Sequence, residues 1–374
     1  MHSSRSRRPL LRGRTVPWRG VTAVGAVASV LLVALLPSPY AVERPGPVFD
    51  TLGSAGSGKD RAALITIPDR TTYPTGRGRL DLLTVSVLGS PTGGPPWVDL
   101  VRAWLDPAQS VVPLEAVFPS GSTVQQTERQ SAADMTASQR SAVAAALTRL
   151  GEQVEGDVRI GRVSSGTAAA GRLQVGDVVR SYDGRAIDDS CALQNDVVAG
   201  GATAAQVVVE RDGRERTVTV TPREVALSDG STRPLLGVAT TASFRFPFEV
   251  DLRIDDVGGP SAGMMFALGV IDKLTPGSLT GGRHVAGTGT ICGDGEVGPI
   301  GGIRQKLVAA REAGATLFLA PVDNCDEVAG HIPSGLDVVA VKNLAGALDA
   351  LEQVRDQGSV AGLPSCAAPV VSSP

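Results

Sequence analysis

The sequence predicts a multidomain α+β protein: a transmembrane helix at the N-terminus, a β-rich module in the middle, and an α/β domain at the C-terminus. Three observations carry this. The first twenty residues hold six Arg and no acid, and a long uncharged stretch follows. Residues 154–222 contain short alternating apolar runs broken by Gly, Asp and Pro turn signals. From residue 235 the composition turns to Gly and Ala, with apolar runs long enough for buried helices. A length of 374 residues accommodates two or three domains.

Composition removes several function classes. Aromatics are 3%, too few for a platform that stacks single-stranded bases. Beyond the basic head, 29 basic residues face 38 acidic ones, so no basic body exists to wrap nucleic acid. The four Cys (191, 292, 325, 366) form no CxxC pair, and a metal site is not expected. Only three His and four Lys occur, so a Lys in a chemically telling place carries weight.

Residues 1–20 read as a basic cytoplasmic head and 21–42 as a membrane anchor. The apolar core Val21–Leu36 is sixteen residues long and stops at Pro37. Sixteen helical residues rise about 24 Å, and the uncharged stretch to Val42 adds enough to cross a bilayer. Six Arg before the stretch and none within it place the N-terminus in the cytoplasm and the body outside it. A cleaved signal peptide is the alternative, but no small-x-small site follows the core. Residues 43–60 read as linker. Within them Gly53-Ser54-Ala55-Gly56-Ser57-Gly58-Lys59-Asp60 nearly matches a phosphate loop, yet Asp60 replaces the magnesium-holding hydroxyl.

Residues 61–150 form a mixed region. A strand is expected over Leu80–Leu88, a helix over Val98–Leu105 and an Ala-rich helix over Ser138–Leu150, capped by Thr136 and Gln139. In the middle module, 151–225, strands are expected at 158–163, 178–182, 205–210 and 217–221. Asp183-Gly184 suits a type I′ turn. The run from Val158 through Gly176-Asp177-Val178-Val179 to Asp183-Gly184-Arg185-Ala186-Ile187 resembles a bacterial PDZ domain over about seventy residues. The resemblance implies peptide binding by strand addition at Val158, Ile160 and Val163. The neighbouring Glu155-Gly156-Asp157 is acidic, unlike the family's carboxylate-binding loop.

In the C-terminal domain, 235–355, Gly258-Gly259-Pro260-Ser261-Ala262-Gly263 opens an apolar helix. Ser261 at its start meets outward-pointing N–H groups, a setting that suits a nucleophile whose reaction makes an oxyanion. A helix-capping Ser is the plainer alternative. His284 and His331 sit in polar turns. Lys306, in an apolar helix after Gly298-Pro299-Ile300-Gly301-Gly302, is the better base, because burial disfavours its ammonium form. Ser261, Ala286-Gly287-Thr288-Gly289-Thr290 and the Pro299–Lys306 block, in this order, resemble the proteolytic domain of the Lon proteases. The resemblance implies a Ser261–Lys306 dyad with Thr288 orienting the lysine. It departs at Gly258, where many members carry Asp, and at Thr290, where they carry Glu. It does not extend to the family's ATPase module.

The reading is therefore an anchored serine endopeptidase that cleaves unfolded extracytoplasmic proteins without ATP or any cofactor. The PDZ-like module recruits chains, and a hexamer is implied by resemblance alone. An inactive scaffold and an ATP-dependent protease are the alternatives. Residues 356–374 read as a disordered tail. Disulfide pairing among the four Cys stays open.

Overall fold

The computed structural model describes residues 32, 34–55, 62–119, 121–226, 232–254 and 257–366. The predicted basic head lies outside these residues, as does most of the predicted anchor. Among the described residues no helix is long and apolar enough to cross a membrane.

Strands Leu317–Pro321 and Asp337–Val341 are apolar at nearly every position. Such strands need cover on both faces, and they receive it. They form one end of a six-stranded sheet ordered Asp337–Val341, Leu317–Pro321, His284–Gly287, Arg79–Leu88, Tyr40–Asp50 and Ser110–Pro113. The first four run parallel, and the last two join antiparallel. Side chains alternate with the strand period of two. Leu80, Leu82, Val285, Leu317, Leu319, Val339 and Val341 pack under helices Gly263–Leu274, Leu344–Gln357 and Val124–Arg149. Leu83, Ala286, Phe318, Ala320, Val338 and Ala340 pack under Ile303–Glu312 on the other face.

This topology corrects several expected boundaries. The expected linker 43–60 is a sheet strand over its first part, since Tyr40–Asp50 pairs in the sheet with Ala41 and Val42 buried. Any membrane span must therefore end before Tyr40. Of the near-match to a phosphate loop, Ser54 and Ala55 pair with Ala63 and Ala62, and residues 56–60 lie outside the described set. A phosphate loop needs a strand leading into a helix there. The mixed region 61–150 and the C-terminal domain are one body, because Arg79–Leu88 sits in the middle of the sheet. The Ala-rich helix is twice the expected length, Val124–Arg149, and its capping box is Thr123 with Gln126. The same residue pattern at Thr136 falls inside the helix, where the hydroxyl bonds back to the Ala132 carbonyl. The tail is ordered through Cys366, which is buried and bridged to Cys325. Residues 367–374 lie outside the described set.

The middle module is a second sheet ordered Arg214–Val220, Ala205–Arg211, Val178–Tyr182, Glu155–Val163 and Val238–Arg245, with helix Ser190–Gly200 beside it. Asp183 and Gly184 both have positive φ, as a type I′ turn requires. The expected open edge at Val158, Ile160 and Val163 is filled. Val238–Arg245 pairs along the whole of Glu155–Val163, from Val238 opposite Val163 to Arg245 opposite Glu155. The chain returning from the module thus satisfies the backbone groups that a peptide would need. Val158 and Ile160 are core residues of the module.

A disulfide and several hydrogen bonds hold the module to the body. Cys191 is bridged to Cys292 with 5.6 Å between Cα atoms. The Asp189 carboxylate accepts from the Gly293 N–H at 2.6 Å and from the Ser141 hydroxyl at 3.1 Å. Asn195 donates to Glu296, and Arg140 donates to the Phe244 carbonyl.

Because two of the sheet's interior strands come from residues 40–88, a fragment of residues 235–374 should not fold. Its circular dichroism should show no cooperative thermal transition, whereas the full chain should show one. A cooperatively folded fragment would refute the single interleaved body.

Candidate active site

Thr288 follows strand His284–Gly287 directly, at the carboxyl end of the parallel strands. In open parallel sheets that end is where ligands gather. The Thr288 N–H bonds to the Leu319 carbonyl, which fixes it to the neighbouring strand. Helix Ile303–Glu312 is seated by Ile303, Leu307 and Ala310 in the core. Its entry is clamped by Asn324, whose side chain accepts from the Ile300 N–H and donates to the Ile300 carbonyl, both at 2.9 Å. Lys306 is therefore carried into the interior and is 2% exposed.

Helix Gly263–Leu274 begins two residues after Ser261, so Pro260 and Ser261 form the turn leading into it rather than its first turn. Ser261 is half-buried. The structure brings Ser261, Thr288 and Lys306 together. Lys306 Nζ lies 2.8 Å from Ser261 Oγ and 2.9 Å from Thr288 Oγ1. The Thr288 hydroxyl donates to the Ser261 carbonyl at 2.9 Å, and the Gly289 N–H donates to the same carbonyl at 3.0 Å. With its proton committed to that carbonyl, Thr288 Oγ1 is left as an acceptor for a Lys306 N–H. The lone pair of an uncharged Nζ then faces the Ser261 hydroxyl. Burial pushes the Lys306 amine down to about 7, so the uncharged form is available near neutrality.

The expected peptide contacts at Val158, Ile160 and Val163 belong to the middle module and take no part in this cluster. His284 stands at the opposite end of its strand, where its ring pairs with the buried Asp81 that Arg79 also holds. His331 lies in a surface turn against the Ala329 carbonyl.

Ser261 and Lys306 line a cleft of about 960 Å³ with Arg44, Phe49, Met135 and the segment Thr84–Val87. Strand Arg79–Leu88 is paired on one side throughout by Tyr40–Asp50, but on the other side His284–Gly287 stops opposite Leu82. The stretch beyond Leu82 offers a strand edge toward the cleft.

The sequence did not signal how the Ser261 turn is held. The Gly259 N–H donates to the Ser131 carbonyl at 2.9 Å, and the Ser138 hydroxyl donates to the Pro260 carbonyl at 2.8 Å. Both partners are on helix Val124–Arg149, more than a hundred residues away in sequence. A Cβ at Gly258 would stand 2.6 Å from Ser131 Cβ. The Asp that many Lon proteases carry at that place has no room here.

Comparison with known proteins places this geometry. Residues 256–353 match the Lon protease (S16) C-terminal proteolytic domain. The Lon protease of Helicobacter pylori strain J99 is 40% identical over 95 residues, which are 24% of this chain and 11% of that protein. Lon protease 2 of Bacillus subtilis is 32% identical over 132 residues, 34% of this chain and 23% of that protein. The chain thus spans between a tenth and a quarter of the length of these relatives. A solved PDZ domain of the SdrC-like protein of Listeria innocua covers 22% of this chain and 92% of its own, with 16% identity and a TM-score of 0.21.

Gly258→Asp should destabilise the fold by about 1–3 kcal/mol through overpacking against Ser131. Urea unfolding of the variant beside the parent measures this, and an unchanged midpoint would show that the turn can yield.

Proposed function

We propose that this protein is a serine endopeptidase that works through Ser261 and Lys306. The observation that carries the reading is a buried lysine amine 2.8 Å from the serine hydroxyl. Ser261 Oγ attacks the scissile carbonyl carbon while its proton passes to Nζ. Backbone N–H groups of the turn at Ser261–Gly263 face the oxyanion. The Lys306 ammonium returns the proton to the leaving amine, which leaves an acyl ester on Ser261. Water, deprotonated by the same Nζ, releases the acid. Thr288 touches no substrate in this scheme. It holds Nζ in line and leaves its lone pair directed at Ser261.

An extended chain fits the cleft by pairing with the strand edge beyond Leu82. Unfolded or loosely structured proteins are therefore the substrates, and ATP is not needed to present them. The anchor at 21–36 places the head in the cytoplasm and the catalytic body outside, where the Cys191–Cys292 and Cys325–Cys366 bridges suit an oxidising compartment. A hexameric ring belongs to this reading as well. Recruitment at the 155–163 edge does not, because that edge is occupied.

The full chain in detergent should cleave unfolded casein without ATP. Ser261→Ala should lose activity by a factor on the order of 10³ or more. Equal cleavage by both proteins would sink the assignment.

The pH profile follows from the direction of the Lys306 shift. Below pH 7 the amine is protonated and cannot accept, so kcat/KM should rise with pH, reach half its maximum near 7 and level off above. Thr288→Ala should lower kcat by about 10²-fold through misplacement of Nζ, and Thr288→Ser should restore most of it. A profile centred near the ordinary lysine value would mean that burial does not lower the amine, and a profile with no rise at all would mean that Lys306 is not the base.

A further inference from the structure

Helix Trp97–Leu105 has one broad apolar face, and the body covers only part of it. Leu100 and Ala103 are buried against Val42, and Trp97 meets Tyr40 edge-on. The uncovered flank of the same face carries Val101, Trp104 and Leu105, which are 50%, 61% and 81% exposed. The spacing i, i+3, i+4 puts them on one stripe. Leu32, Leu35 and Leu36 are exposed as well. These six residues are most of the eleven large apolar side chains exposed among the described residues. The rest are scattered singly, which is ordinary for a protein surface.

Chain connectivity says what covers the stripe. The apolar run Val21–Leu36 ends where this helix begins: the Trp97 N–H donates to the Leu36 carbonyl at 3.3 Å, and the Ser38 N–H donates to the Pro95 carbonyl at 3.1 Å. A bilayer that holds the run therefore meets this helix first. Trp104 has the character such a place selects, an apolar ring with one polar N–H, which settles at the headgroup level. Arg102, between Val101 and Trp104, is ion-paired to Asp99 and largely exposed, placed to reach phosphate.

We propose that the Val101–Trp104–Leu105 face is a membrane-docking surface that seats the catalytic body on the lipid bilayer. It rests on the membrane-anchored reading above and adds to it a second contact. A single span leaves the body free to swing, whereas a docked helix fixes its tilt. Arg44 of the cleft is four residues along the strand from Tyr40, about 13 Å at the strand rise.

The test uses the full chain with Trp18→Phe, reconstituted in phosphatidylcholine–phosphatidylglycerol vesicles with or without brominated acyl chains. Flotation after carbonate washing reports the anchor. The difference between this chain and its Trp104→Phe version reports Trp104. The expected result is a chain that floats and a Trp104 signal that brominated lipid quenches, with the quenching lost on Val101→Ser and Leu105→Ser together. A chain that floats with Trp104 unquenched overturns the docking surface and leaves the anchor standing. A chain stripped by carbonate overturns the anchored reading and the surface with it. Disulfide cross-linking between copies at Leu105→Cys, with Trp104 unquenched, would assign the face to self-association and overturn lipid docking.

Discussion

The structure turns on carrying one lysine side chain out of water. Among the described residues burial alone acts on it, which lowers the amine to about 7 and makes the uncharged form available near neutrality. The surroundings serve this end. A helix seated by Ile303, Leu307 and Ala310 delivers the side chain, Asn324 fixes the entry to that helix, and Thr288 supplies an oriented acceptor. Ser261 needs no separate activator. It needs a turn held still, and the long helix Val124–Arg149 holds it by two hydrogen bonds to backbone carbonyls, one given by a side chain and one received by its own chain.

The cleft is a product of strand lengths. Tyr40–Asp50 covers one edge of Arg79–Leu88 to its end, while His284–Gly287 stops short on the other. The unmatched residues and the Ser261 turn enclose the space between them. The same shortness puts Thr288, the first residue past the strand, within reach of Lys306. The middle module bears on this region indirectly. Its bridge to Cys292 and its bond to Gly293 grip the loop that follows Thr290–Ile291, a few residues beyond Thr288.

Much of the site was legible because it is encoded locally. Ser261, Thr288 and Lys306 each sit in a short glycine-rich motif, and their order along the chain was enough to associate them. The module's strands were legible from alternation, and its turn from Asp183-Gly184. Tyr40–Asp50 was not. Pro45-Gly46-Pro47 reads as a spacer, yet the ladder shifts register between Pro45 and Val48, and a bulge is where proline does least harm to a sheet. The front half of Val124–Arg149 is polar and gave no apolar stripe to read. The filling of the 155–163 edge and both disulfide pairings depend on partners far apart in sequence, which periodicity cannot see.

The order of the strands also sets a schedule. The innermost pair, Arg79–Leu88 and His284–Gly287, is about two hundred residues apart in the chain, and the middle module is made between them. During synthesis the N-terminal strands must wait without their parallel partners until the end of the chain arrives. The serine and the lysine are both late arrivals, and the last bridge closes at Cys366. Until then Ser261 and Lys306 have no complete sheet to hold them together. Bringing Ser261 beside Lys306 is thus tied to synthesis of the C-terminal strands.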